Sequence, residues 1–251
     1  MRSALEKFIA PDERTRNEIL HGEYIRKHGE EVWNWSSPAG KMRWARRCRL
    51  FTEFLGNHKS LVLEIGCGTG LFTKELARTD NTIVAIDISA ALIAKAKERI
   101  SAANVNFVVG NAQEAEFKSE SFDFIVGSST LHHLDVNSAL KEFFRILKPG
   151  GKIMFTEPNM MNPQVALIKN LPFIKRRAGD SPDETAFFRW EIADRLKETG
   201  FVDIIVEPFD FLHPQAPASL LFVAERLASF LEKIPLAREF AGSLILQGRK
   251  E

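Results

Sequence analysis

A chain of 251 residues, 45% hydrophobic and 27% charged, has the composition of an ordinary globular protein and the length to bury one sizeable α/β core. Its formal net charge of +1 gives no general basis for nucleic-acid binding, because any basic footprint would have to be local. Two cysteines, Cys48 and Cys67, exclude a disulfide framework and point to a reduced, cytoplasmic setting. No apolar run approaches the ~20 residues of a membrane span, and Met1 to Lys7 lack a secretory apolar core, so peripheral membrane contact is all that is expected.

In chain order, residues 1–60 read as a helical cap. Trp33 and Trp35 precede the turn-rich Ser36 to Gly40; packing at a domain edge is expected of them and closure over a ligand is the alternative. Trp44, Cys48, Phe51 and Leu55 recur at helical spacing. Lys41, Arg43, Arg46, Arg47 and Arg49 occupy the other sides, predicting a solvated basic face, or arginines facing an anion. Gly56-Asn57 stops the helix.

From Leu61 the pattern alternates between strand and helix. Leu61–Ile65 is a branched, apolar run that breaks into Gly66-Cys67-Gly68-Thr69-Gly70, with a helix over Leu71–Arg78. Strands follow at Thr82–Asp87, Val105–Val109, Phe122–Val126 and Lys152–Glu157. Ser89 caps a helix running to Ile100, and Val136–Leu147 forms the next. Lys148-Pro149-Gly150-Gly151 reads as a helix halted by proline and a glycine pair that reverses direction. Trp190–Thr199 is a helix stopped by Gly200, and Phe201–Glu207 and Ser243–Gln247 are the last strands. Such alternation predicts a sheet covered on both faces by right-handed crossovers. Insertions near 158–186 and 214–240 follow strands whose carboxyl ends face the site, so both are lid candidates.

The glycines discriminate between ligands. A dinucleotide turn needs Gly-x-Gly-x-x-Gly, and here Leu71 holds the third glycine's place. Glu64, just before the turn, would repel a pyrophosphate but suits a cation. Asp87 closes the second strand, where a carboxylate can accept both hydroxyls of a ribose. This stretch resembles the first motif of class I S-adenosylmethionine (SAM) dependent methyltransferases, of the type 11-like, small-molecule branch. Arg145-Ile146-Leu147-Lys148-Pro149-Gly150-Gly151 resembles a second landmark of that family, so the resemblance covers roughly Leu61 to Glu157.

The resemblance implies a Rossmann-like α/β fold: a seven-stranded mixed sheet, last strand antiparallel, sandwiched by helices with helical lid insertions. It implies SAM as cofactor, with the tail approached by the amides of Gly66, Cys67, Gly68, Thr69 and Gly70 and its amino group met by Glu64. Asp87 would take the ribose, Ile88 the adenine face, Asn111-Ala112 the adenine amino group, and Ser128 a place near the methionine tail. A turn-forming role for Asn111 is the alternative.

The family has no fixed catalytic residue, so candidates come from strand ends: His133 and Glu157, then His132 and His213. These histidines lack the spacing and carboxylate company of a metal site, so no metal is expected. The expected reaction is methyl transfer to an oxygen, nitrogen or carbon of a small-molecule acceptor. A lipid-like acceptor is an alternative, because Leu220, Val223, Leu227, Phe230 and Ile234 form an apolar stripe and Leu167–Ile174 runs into three basic residues; packing of these helices on the sheet is the favoured reading. A non-catalytic SAM-binding scaffold is a second alternative. Ser128 to His133 stand where DNA amino-methyltransferases carry Asn/Asp-Pro-Pro-aromatic, which argues against that class.

Overall fold

The computed structural model describes residues 12–29 and 35–251; Trp33 lies outside them. Seven strands form one sheet in the order β3-β2-β1-β4-β5-β7-β6. They are β1 Leu61–Ile65, β2 Thr82–Asp87, β3 Val105–Val109, β4 Phe122–Ser128, β5 Leu147–Pro158, β6 Phe201–Phe209 and β7 Ser243–Lys250. β1 to β5 pair in parallel, whereas β7 runs antiparallel between β5 and β6. The expected Rossmann-like mixed sheet with a reversed last strand is present. Between β1 and β4 the chain switches direction across the sheet, which opens a crevice at the carboxyl ends of the strands.

Ten helices occur among the described residues. They are α1 Glu13–His28, α2 Pro38–Leu55, α3 Leu71–Leu76, α4 Ala90–Arg99 and α5 Val136–Ile146, then α6 Pro163–Asn170, α7 Pro172–Ala178, α8 Arg189–Thr199, α9 Leu221–Leu231 and α10 Pro235–Arg238. Their ends follow local chemistry. Ser37 and Ser89 accept the amides of Gly40 and Leu92 as N-caps, and Gly200 ends α8 in the left-handed conformation. Alternate residues of β1 point to opposite faces, so Val62 joins Phe51, Leu55 and Leu76 while Leu63 and Ile65 join Phe143, Ile146 and Phe155. Two apolar layers thus clamp the sheet.

Four expectations need correction. Lys148–Gly151 do not reverse the chain: β5 begins at Leu147, opposite Phe122, and resumes at Lys152, opposite Phe124, so these four residues bulge out of a continuing strand. The bulge is pinned by Lys148 Nζ, 2.8 Å from Asp123 Oδ1. Second, the basic side of α2 is only partly solvated: Lys41 and Arg49 are exposed, but the other three arginines face carboxylates. Arg47 is buried with its guanidinium 2.6 Å from Asp210, Arg43 reaches the same carboxylate at 2.8 Å, and Arg46 makes a bidentate pair with Glu232.

Third, the apolar stripe of α9 does not pack on the sheet; within α9 only Ala228 is buried. Fourth, β6 is the outermost strand, so the insertion that follows it stands away from the crevice and does not cover it. Among the described residues no helix is long and apolar enough to cross a membrane.

Candidate active site

The carboxyl ends of β1, β2 and β4 open into a cavity of about 470 Å³, within the usual range for small-molecule sites. Its floor is the bend after β1. Gly66 N and Cys67 N both donate to Ile86 O, at 2.9 and 3.1 Å, which fastens the bend to β2. Gly66 has φ +65°, and a Cβ there would stand 2.6 Å from Thr130 Cγ2, so no other residue fits without displacing that loop. Gly68 N donates to Asp87 Oδ2 and Ser89 N to Oδ1, each at 2.8 Å. Asp87 therefore splints the bend from below and keeps lone pairs on both oxygens for a ligand. Burial raises its pKa, opposed by these two amides.

Glu64 lines the same floor. It is 1% exposed, and its Oε2 has no hydrogen-bond partner among the described residues. Burial pushes the carboxyl up to about 8, with the Asp87 charge adding and Thr73 opposing. A buried acceptor with nothing to accept from is costly, and a bound donor or cation relieves it.

The opposite wall is an ion network. His132 is buried, with Nδ1 2.6 Å from Glu157 Oε2 and Nε2 3.7 Å from Glu184 Oε2. Glu157 also accepts Thr130 N, Leu131 N and His132 N, at 3.1, 2.8 and 3.3 Å. Lys169 Nζ lies 2.7 Å from Glu184 and 2.6 Å from Asp180. His133 Nδ1 stands 2.9 Å from Glu18 Oε2 but out of line for a regular hydrogen bond. Ser181 Oγ donates to Glu18 Oε1 at 2.6 Å, joining α1 to the first insertion over the cavity.

Desolvation disfavours the His132 imidazolium, but hydrogen bonds to Glu157 and Glu184 outweigh it and raise the pKa to about 9. Burial likewise opposes ionisation of Glu184, yet His132, His133 and Lys169 hold it well below the usual carboxylate range. The carboxylate company thought missing around the histidines is supplied by Glu18, Glu157 and Glu184. His132, His133 and Glu184 bring ligand-type atoms within 4.8 Å of one another, but the Lys169 ammonium already balances the charge of Glu184.

Residues 63–155 match the family described as Methyltransferase domain. Over 150 residues the chain is 33% identical to phosphoethanolamine N-methyltransferase 1 of Arabidopsis thaliana, covering 58% of this chain and 29% of that one. It is 28% identical over 179 residues to demethylmenaquinone methyltransferase of Corynebacterium glutamicum, covering 64% and 74%. In fold it is similar to a Thermotoga maritima SAM-dependent methyltransferase described as a possible histamine N-methyltransferase, with TM-score 0.66, 21% identity, and coverage of 92% of this chain and all of that one. The chain spans less than a third of the length of the plant relatives it matches.

Residues 63–155 thus carry the sequence pattern of a methyltransferase domain, on a fold similar to that of SAM-dependent methyltransferases.

The site fits that domain's cofactor, SAM, on one independent observation: Glu64 presents an unpartnered buried oxygen beside a bend free of side chains, as a cationic ligand requires. Of the residues assigned to the cofactor, Glu64, Gly66, Cys67, Gly68, Thr69, Asp87, Ile88, Asn111, Ala112 and Ser128 all line the cavity. Gly70 does not. A Cβ there would meet Ile100 Cδ1 at 2.8 Å and Ala96 Cβ at 3.1 Å, so it serves the approach of α3 to α4. Asn111 Oδ1 accepts Gln113 N at 3.0 Å, the turn-forming bond, and keeps a second lone pair toward the cavity's contents.

Glu157 also lies behind the wall, with both oxygens engaged by loop amides and His132, and it does not line the cavity. His213 is exposed, bonded to Gln164 Nε2 at 2.9 Å, and stands outside the cavity. Trp35 lines the cavity and packs on Trp44 with ring centroids 5.3 Å apart. Glu18, His21, Lys169, Asp180 and Glu184 escaped the sequence reading altogether. One signal pointed to α1: Gly22, isolated within a helix, marks a close approach, and a Cβ there would meet Ser89 Oγ at 2.6 Å.

A pH signature follows for the methyltransferase domain. Without ligand the Glu64 carboxyl, raised to about 8, holds its proton at neutral pH. A cation at the bend favours the carboxylate, so binding expels that proton, and affinity for SAM rises with pH until about 8, by up to about tenfold per unit. Calorimetric titrations between pH 6 and 9 measure this slope. Glu64→Gln should flatten it while raising stability toward urea at pH 7; an undiminished slope in that variant would remove Glu64 from the cofactor's contacts.

Proposed function

We propose that this domain transfers a methyl group from SAM to a small-molecule acceptor, with His133 facing the acceptor. The observation that carries this reading is the opposition of two unlike walls across one cavity. A floor bearing the Glu64 and Asp87 carboxylates suits a cation, and a charged wall bearing His133 backed by Glu18 suits a nucleophile that must lose a proton. SAM, when bound, supplies a methyl on a sulfonium that leaves as a neutral thioether and needs no protonation.

The chain's own contribution is then alignment and proton handling. Glu64 meets the tail's amino group, the side-chain-free bend at Gly66 and Gly68 leaves room for the tail, and Asp87 holds the ribose. Arg43 and Arg47 share Asp210 and leave one positive charge at the cavity wall, with Arg47 Nε unpartnered, for the tail's carboxylate. Burial lowers the Arg47 guanidinium only to about 10, with Asp210 opposing, so the charge persists at neutral pH.

Glu157 fixes the 130–132 loop and His132, and so sets where His133 stands. His133 takes the acceptor's proton on the ring nitrogen away from Glu18, and Glu18, 2.9 Å from Nδ1, balances the resulting charge. Burial alone would raise Glu18, but His133 and Ser181 hold it ionised. Relatives named for phosphoethanolamine and for demethylmenaquinone support an acceptor of small-molecule size.

The test is release of S-adenosylhomocysteine from a panel of amine, phenol and acidic-carbon acceptors. His133→Ala should lower kcat by about 10²–10⁴-fold, the usual worth of a positioned base, with SAM affinity unchanged. Equal turnover in the variant would remove the base, and no product with any acceptor beside tight SAM binding would favour a scaffold.

A further inference from the structure

Sixteen large apolar side chains stand exposed among the described residues; three of them lie in the first insertion and eight in the second. They are concentrated rather than scattered, and concentrated exposure marks a contact surface. On α9 and α10 the stripe is Phe222, Val223, Leu227, Phe230 and Leu236, with exposures from 55% to 82%. On the first insertion Val165 and Lys169 face the cavity, while Leu167, Leu171 and Phe173 face out. The same hairpin of α6 and α7 therefore lines the site and carries part of the apolar surface.

Charge says what covers it. The helices α7, α9 and α10 hold one acid, Glu225. Arg176, Arg177, Arg226, Lys233 and Arg238 have no ion-pair partner among the described residues. The flanking acids Glu232 and Glu239 are engaged by Arg46 and Arg189. What remains is aromatic and aliphatic side chains interleaved with free cations, the make-up of a segment that lies in a bilayer interface and is drawn there by anionic headgroups. A contact between copies of this chain would set these cations against one another. Topology places both patches together: β5 and β6 run parallel, so the two insertions leave the same edge of the sheet, and Asn162 Nδ2 ties them by donating to Phe240 O at 2.8 Å.

We infer that the edge formed by α7, α9 and α10 docks on an anionic lipid bilayer. The apolar side chains enter the headgroup boundary, the basic ones meet phosphate oxygens, and the cavity wall built by α6 stands beside the lipid surface. An acceptor resident in the membrane then reaches the site without crossing bulk water.

Sedimentation of the full chain with vesicles tests this. The protein should pellet with phosphatidylcholine–phosphatidylglycerol vesicles at low salt, stay soluble with phosphatidylcholine alone, and be released by high salt. Removing three charges (R176Q, R177Q and K233Q) should weaken vesicle binding by about 100-fold. Replacing Phe222, Leu227 and Phe230 by serine should abolish it. Both variants should bind SAM as the parent does, which separates this result from the fate of the proposed reaction. Failure to pellet with either vesicle would overturn the inference. So would a dimer in sedimentation velocity that the serine variant dissociates, because it would assign the face to a second copy.

Discussion

Replacing Asp87 by alanine is expected to weaken SAM binding by at least about 100-fold, measured by calorimetry on the folded variant. Two effects add. The carboxylate offers the ribose two charge-assisted acceptors, each worth roughly 1.5–3 kcal/mol. It also holds Gly68 N and Ser89 N at 2.8 Å, so its loss frees the bend whose amides approach the tail. Asp87→Asn separates the contributions. It retains the side chain's shape but offers one acceptor oxygen, and should recover part of the affinity. A loss below about threefold in Asp87→Ala would mean that the carboxylate serves only the bend, and the ribose assignment would fall.

The second large effect is on stability. Glu157→Ala should cost about 3–5 kcal/mol in urea denaturation, the range for breaking one side of a buried ion pair. The variant leaves Thr130 N, Leu131 N and His132 N without their acceptor and His132 without its counter-charge. The pH dependence carries the same signature. The folded pKa of His132 is raised from 6.5 to about 9, so its contribution is complete below about 6.5 and is lost as pH rises toward 9. Stability of the parent should decline across that window, by on the order of 3 kcal/mol from this group. His132→Ala should flatten the decline. A parent whose stability is level from pH 7 to 9 would show that His132 is neutral when folded.

The two variants also separate the roles of the cavity's walls. Asp87→Ala should leave the ion network and its pH dependence intact. Glu157→Ala should retain SAM affinity once folded, because Glu157 touches neither the bend nor Asp87.

The domain's frame was legible in the chain because its signals are local. Leu61–Ile65 and Thr82–Asp87 are short apolar runs ended by glycine or an acid, and both occur with the boundaries their composition predicts. Glu64 and Asp87 stand at strand ends, so their arrival at one crevice follows from parallel strands and a switch in direction. What misled were residues whose partner is distant in sequence. The arginines of α2 read as a solvated face or as facing an unnamed anion, because nothing near them says that Asp210 lies opposite, 163 residues from Arg47. Glu157 read as a candidate for chemistry because a carboxylate at a strand end does not reveal that loop amides 25 to 27 residues away engage it.

Local pattern thus settled the sheet, the bend and the cofactor's class, since backbone propensity and side-chain alternation act over a few residues. Tertiary structure alone decided the acceptor wall and the outer face. Glu18, His132, His133, Lys169 and Glu184 become one network only when α1 and the first insertion close over the strand ends. The stripe of α9 has the period of a buried helix, and only the position of β6 at the sheet's edge leaves it facing outward. Periodicity records that a helix has an apolar side; the element or solvent that meets that side is a matter of three-dimensional neighbours.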